Sequence, residues 1–370
     1  MALKGKEEFT LLEDILKLKR PAGSCTEREA INKFIKPTGA VADEYGNYHL
    51  KLGETPIVWS SHTDTVHEKA GTQEIVYGDK DGCIYLDETV KKADCLGADD
   101  GSGMWLMLKM IEAGVSGHYV FHREEEIGGW GSLFLSKNAD WQAYFKDYKA
   151  VIALDRRGYN DVITHQSGRC CSDKFAQELS DQLNVLMYQD SLDTTDPEVV
   201  KHFQWRGARG VWTDSANYTD MVGECTNLSI GYFNQHSYLE CQDPEFLEQL
   251  LTALTHLDTD ALLASCTRQP GEKEVTPKYY GYGHRNNSRS PKVPTHGGNT
   301  ILDDDPIYNG DILDAMGDVI LSEENGYGYQ DMADVVEQYP DEVAQILKSS
   351  GYGMFDLLDE VDKINGAINS

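Results

Sequence analysis

Apolar positions recur at three- and four-residue spacing over residues 7–19 and again over 26–36, which predicts two amphipathic helices at the start of the chain. Thr26 stands where the second needs an N-cap, and Pro37 with Gly39 ends it. Residues 46–52 alternate as a strand, and Ile57-Val58-Trp59 is a short apolar run leading straight to His62. A β-like stretch at 82–86 follows a polar loop. Residues 101–113 are apolar on nearly all sides, as a buried helix is, and Gly114 stops them. Strands at 118–123, 150–154 and 227–232, with helices at 129–137, 172–187 and 243–265, complete the pattern. Strands alternating with helices predict an α/β fold, one sheet covered by helices on both faces.

The pattern breaks after residue 270. Residues 271–300 are rich in Gly, Pro, Asn and Ser, with five basic and two acidic residues, and read as a linker. Residues 301–370 hold seventeen Asp and Glu against only Lys348 and Lys363. Apolar spacing at 334–347 and 354–367 predicts a small, acidic, helical appendage, open to an unknown protein partner. DDDPIYNGDILD resembles a calcium loop, but with Gly310 as the turn glycine, Ile307 and Met316 fall where oxygen ligands are required. The expected division is a catalytic domain over 1–270, a linker and the acidic segment.

A formal net charge of −29 argues against nucleic acid and anionic membrane as partners, since both want a basic face. The N-terminal segment is charged and amphipathic, unlike a signal peptide, and no apolar run approaches the roughly 18 residues that span a bilayer. Eight scattered cysteines, with one vicinal pair (Cys170, Cys171) and no C-x-x-C, fit free thiols in a reducing, cytoplasmic setting.

Five potential metal ligands follow one another in short motifs: His62 in SSHTDT, Asp99 in LGADDGSG, Glu126 in REEEIGG, Asp155 in ALDRRG and His236 in FNQHSYLE. Each has an ordinary alternative. His62 suits a polar loop after a strand, Asp99 a helix N-cap, and Glu126 a solvated charge run. Asp155 suits a pair with Arg156 or Arg157, and His236 a surface loop. Yet three consecutive glutamates after an apolar strand repel one another unless cations neutralise them. Several of the five also stand at strand ends, where open α/β sheets place their crevice. Two imidazoles and three carboxylates suit two borderline divalent ions with one bridging carboxylate. Glu125 is then the candidate general base, and Asp64, two residues after His62, a candidate to orient the imidazole.

With these motifs the chain resembles the co-catalytic di-zinc exopeptidases of clan MH, which include peptidase T, acetylornithine deacetylase and the bacterial leucyl aminopeptidases. HTDT, GADDGSG, EEIGGWGS, LDRRG and IGYFNQHSYLE carry the resemblance over about residues 5–265. It implies a phosphorylase/hydrolase-like mixed sheet and a cis peptide between Asp99 and Asp100. It also implies two divalent ions, zinc or else cobalt or manganese, held by His62, Asp99 (bridging), Glu126, Asp155 and His236. The lidded branch inserts a domain between the last aspartate ligand and the terminal histidine. Asp155 and His236 are only 81 residues apart, which leaves no room for a lid. Arg209, Tyr218 and His202 are therefore candidates to bind substrate or the oxyanion, and GVWTDSANY (210–218) to line the pocket. The expected activity is a zinc-dependent exopeptidase, aminopeptidase or dipeptidase. An N-acyl amino acid deacylase and a catalytically silent binding protein on the same fold are the alternatives.

Overall fold

The strands at the centre of the sheet are buried along their length, whether they begin apolar, as at 57–59, or are largely polar, as at 224–229. The computed structural model describes residues 9–78, 81–87, 94–188 and 204–272. Its main sheet has eight strands: β2 (Val41–Ala42), β3 (Tyr48–Leu52), β4 (Ile57–His62), β8 (Gly117–His122), β9 (Ala150–Arg156), β10 (Asp161–His165), β11 (Arg206–Arg209) and β12 (Glu224–Ser229). Their order is β11-β10-β12-β9-β4-β8-β3-β2. β12, β9, β4 and β8 are mutually parallel. β3 pairs antiparallel with β8, and β10 antiparallel with β12, so the sheet is mixed. β4, β8 and β12 are buried at every position and β9 at all but Asp155. Strands hidden on both faces need cover on both faces, which the helices supply.

Shorter strands complete the fold. β1 (Leu18–Lys19) pairs with β5 (Gly71–Thr72), while β6 (Ile75–Tyr77), β7 (Ile84–Leu86), β13 (Tyr232–Phe233) and β14 (Cys241–Gln242) form a four-stranded sheet. The helices are α1 (Thr10–Leu16), α2 (Cys25–Ala30), α3 (Ala98–Glu112), α4 (Trp130–Lys137), α5 (Ala139–Phe145), α6 (Asp173–Tyr188), α7 (Pro244–Thr255) and α8 (Thr259–Ala264).

Several boundaries differ from the expected ones for local reasons. Ser24, not Thr26, caps α2, accepting the Glu27 amide at 3.0 Å. The expected helix at 243–265 is two, because the chain leaves helical geometry at His256 and Asp258 caps a new start. β10 and β11 were not expected, since their pairing partners are distant in sequence. All eight cysteines are free, and only Cys25 is exposed. No helix among the described residues is long and apolar enough to cross a membrane. His202, most of the proposed linker and the acidic segment lie outside the described residues.

Candidate metal centre

The parallel strands bring the chemistry to their shared C-terminal edge. His62 is the last residue of β4, Asp155 the second to last of β9, and the three glutamates follow β8 after Arg123. Asp99 stands in the turn that opens α3, where Asp99 and Asp100 depart from helical geometry and the peptide between them is cis. His236 adopts a left-handed backbone (φ 61°) in the loop after β13.

Five side chains meet there in two triads. His62, Asp99 and Asp155 form one, and Asp99, Glu126 and His236 the other; within each, the donor atoms lie within 4.8 Å of one another. Asp99 belongs to both. Its Oδ1 is 3.1 Å from His62 Nε2 and its Oδ2 3.2 Å from His236 Nε2. Asp155 Oδ1 lies 3.7 Å from His62 Nε2, and Glu126 Oε2 lies 3.1 Å from His236 Nε2.

Surrounding groups aim these side chains. His62 Nδ1 sits 3.0 Å from the Asp64 carbonyl, with the Asp64 carboxylate farther off at 3.6 Å. That carboxylate instead accepts the amides of Glu125 and Glu126, at 3.1 and 3.2 Å. Asp64 therefore ties the glutamate loop to the end of β4 as well as flanking the imidazole. Asp100 accepts the amides of His62 and Gly103. Glu240 accepts those of Gly97 and Asp99, both at 2.9 Å. Asn227 clamps the backbone of Asp155 on both sides, while Thr213 and Tyr232 donate hydroxyls to its carboxylate. Arg20, fully buried, donates to the carbonyls of Ile15, Leu18, Thr63 and Gly97, pinning the loops beside His62 and Asp99 to the N-terminal helix. Glu240 and Thr213 lie within quoted segments but their roles, like those of Asn227 and Arg20, were not legible there, because each acts through a contact distant in sequence.

Crowded carboxyls leave an electrostatic mark. Burial, then the Asp99 charge, pushes Asp155 up to about 6. Burial pushes Glu240 up to about 7 against the two amides it accepts. Glu125 is driven well above the usual carboxylate range by loss of water, with Asp155, Glu126 and Asp214 adding to the rise. Asp99 goes the other way. Burial opposes its ionisation, but the two imidazoles outweigh that and hold it below the usual range. Glu126 Oε1 is buried with no hydrogen-bond partner among the described residues. An orphaned carboxylate oxygen, an excess of buried negative charge and a mixed imidazole–carboxylate donor set together fit divalent cations.

The remaining expected site residues fall elsewhere. Tyr218 is fully buried, its hydroxyl 2.8 Å from His122 Nε2. His122 Nδ1 in turn lies 3.3 Å from Asp214, whose carboxyl burial pushes up to about 7. Arg209 is exposed at the last position of edge strand β11, four residues before Thr213. Of the GVWTDSANY segment, Thr213 reaches the cluster directly. Glu124 (φ 63°) turns its carboxylate away to accept the Tyr45 hydroxyl. Two surface grooves, one between α6 and α8 and one between α3 and α7, contain none of the five cluster residues.

No family model matches the chain, and no curated protein matches it. Among solved structures, the aminopeptidase PepT of Bacillus cereus ATCC 10987 is 15% identical, with 70% of this chain and 98% of that one covered, at a TM-score of 0.47. A tripeptidase of Staphylococcus aureus subsp. aureus Mu50 is 16% identical, with 69% and 98% covered, at 0.48. An aminopeptidase of the archaeon Desulfurococcus kamchatkensis is 15% identical, with 70% and 97% covered, at 0.45.

Proposed function

We propose that the chain is a zinc-dependent exopeptidase, an aminopeptidase or dipeptidase that hydrolyses the bond after an amino-terminal residue. The observation that carries this is the placement of Asp99 between two imidazoles, at 3.1 and 3.2 Å, with one further carboxylate completing each triad. His62, Asp99 and Asp155 would hold one divalent ion, and Asp99, Glu126 and His236 the other. Two imidazoles with three carboxylates suit zinc, with cobalt or manganese as substitutes. When bound, such a pair polarises a carbonyl and lowers the pKa of a water.

The chain's own residues supply the rest. The Glu125 carboxylate takes a proton from the attacking water and returns it to the leaving amine, the task of a general base turned acid. Asp64 fixes Glu125 and Glu126 through their adjacent amides, so the base and a ligand keep their spacing. Thr213, Tyr232 and Asn227 hold Asp155, and Glu240 holds the Asp99 turn. The choice of a peptide with a free amine follows the motif resemblance. Zinc-loaded protein should cleave Leu-Ala and leave N-acetyl-leucine intact, with activity lost in chelator and restored by zinc. Cleavage of N-acetyl-leucine alone would make the protein a deacylase, and absence of bound metal would sink the whole proposal.

A further inference from the structure

Three loops meet at the centre, and each carries exposed apolar side chains. Ile127 follows directly on Glu126, and Trp130 opens α4 three residues later. Val211 and Trp212 precede Thr213, whose hydroxyl donates to the Asp155 carboxylate. Tyr238 and Leu239 lie between His236 and Glu240, and Glu240 accepts the amides of the Asp99 turn. Eleven large hydrophobic residues are exposed among the described residues. Five of them (Ile127, Trp130, Val211, Tyr238 and Leu239) sit in these three short stretches, each 50 to 59% exposed.

The loops also touch one another. Glu126 Oε2 lies 3.1 Å from His236 Nε2, which joins the first to the third. Trp212 joins the second to the first: a Cβ on Gly129 would collide with the six-membered ring of Trp212, so the indole is seated on bare backbone. Gly129 is left-handed (φ 62°), a further reason for glycine there. Tyr238 and Leu239 ride on a closed turn, in which Ser237 Oγ donates to the Asn234 carbonyl and accepts the Leu239 amide. Apolar area gathered around a polar centre is the usual make-up of a small-ligand site.

We propose that Ile127, Trp130, Val211, Trp212, Tyr238 and Leu239 form an apolar subsite for the side chain of the substrate's amino-terminal residue. The site then selects large aliphatic and aromatic residues over small or acidic ones. This rests on the peptidase reading above. The apolar rim takes the side chain beside the scissile bond, where a charged side chain would lose its water with no charged partner among these six residues.

The test separates binding from turnover. Calorimetry on zinc-loaded, full-length Glu125→Gln protein compares Leu-Ala, Phe-Ala, Ala-Ala and Glu-Ala, and wild-type turnover is measured on the same four. Leu-Ala and Phe-Ala should bind at least about tenfold more tightly than the other two, as expected when several methylenes find an apolar site. Trp212→Ala should erase most of that margin while Ala-Ala binding holds. Should Trp212→Ala fail to fold, Ile127→Ser with Val211→Ser, at two exposed positions, gives the same reading. Equal binding, preference for Glu-Ala, no dipeptide binding, or a margin unchanged in the variants overturns the subsite. Rim variants that alter self-association while the margin stays constant would assign the rim to a second copy of the chain and overturn it too. Selective binding without cleavage leaves the subsite standing and removes the peptidase reading; cleavage without selectivity does the reverse.

Discussion

Asp64 Oδ1 accepts the amide of Glu125 at 3.1 Å, so the candidate base is positioned through its own backbone by a residue one strand away. The other oxygen accepts the Glu126 amide at 3.2 Å. In Asp64→Asn, one of the two amides must face an NH2 group, and a lost bond to a charged acceptor costs about 1.5–3 kcal/mol. Turnover should fall roughly 10–100-fold, the usual cost of disturbing a group that orients a metal site. Steady-state kinetics with zinc in excess decide this; kinetics equal to wild type would show that the Asp64 contacts are idle.

Adjacent glutamates should separate by chemistry. Glu125→Gln should lower kcat by about two to four orders of magnitude with metal retained, because only the proton acceptor is lost. Glu126→Gln should weaken metal binding, since an amide is a poor ligand. Glu124→Gln should be tolerated, because the amide oxygen can still accept the Tyr45 hydroxyl. Metal content and kcat for the three variants expose any error of register.

Purified protein should bind about two divalent ions per chain, as two triads sharing Asp99 require. His62→Ala or Asp155→Ala should reduce that number, read by elemental analysis after dialysis.

In metal-free protein the raised carboxyls should cost stability as pH rises from about 4 to about 7. Asp155, Asp214 and Glu240 have folded-state values raised to about 6, 7 and 7. A raised carboxyl binds its proton more tightly when folded, so its contribution is present at low pH and disappears as pH passes through the folded value. The depressed Asp99 acts only below the usual carboxylate range, outside this window. Burial lowers His67 to about 4 and His118 and His122 to about 3, and these act in the opposite sense, so the carboxyl share is read by comparison with a variant. Between pH 5 and pH 8, chelator-treated Glu240→Gln should lose less Tm, or gain more, than wild type, and zinc at pH 8 should raise the wild-type Tm. The same pH response in both proteins would contradict the crowded-carboxyl description.

Truncation should succeed after Glu272 rather than after residue 270. The Gly271 amide donates to the Thr219 carbonyl, and buried Arg268 donates to the Glu272 carbonyl. A chain of residues 1–272 is expected to be soluble and to bind metal, with a cut at 270 costing several degrees in Tm. Insoluble protein from the 1–272 chain would show that residues 273–370 are needed for that unit to fold.

Much of the centre was legible because its parts are local. His62 and Asp155 stand at the ends of apolar runs, and in a parallel sheet such runs all end at one edge, so motif and strand pattern name the same place. The glutamates after β8 and the glycine-flanked Asp99 turn obey the same logic. What those residues touch was settled by contacts distant in sequence. Asp64 serves the Glu125–Glu126 backbone, Glu240 reaches back 141 residues to the Asp99 amide, and Arg20 ties its loops through carbonyls that no residue type announces. Tyr218 and Arg209 carry suitable chemistry in sequence, and it is the fold that sets one fully buried against His122 and the other exposed at the end of an edge strand. A side chain's chemical character belongs to the sequence. Its direction depends on strand order and on pairing across the sheet, which only the folded chain decides.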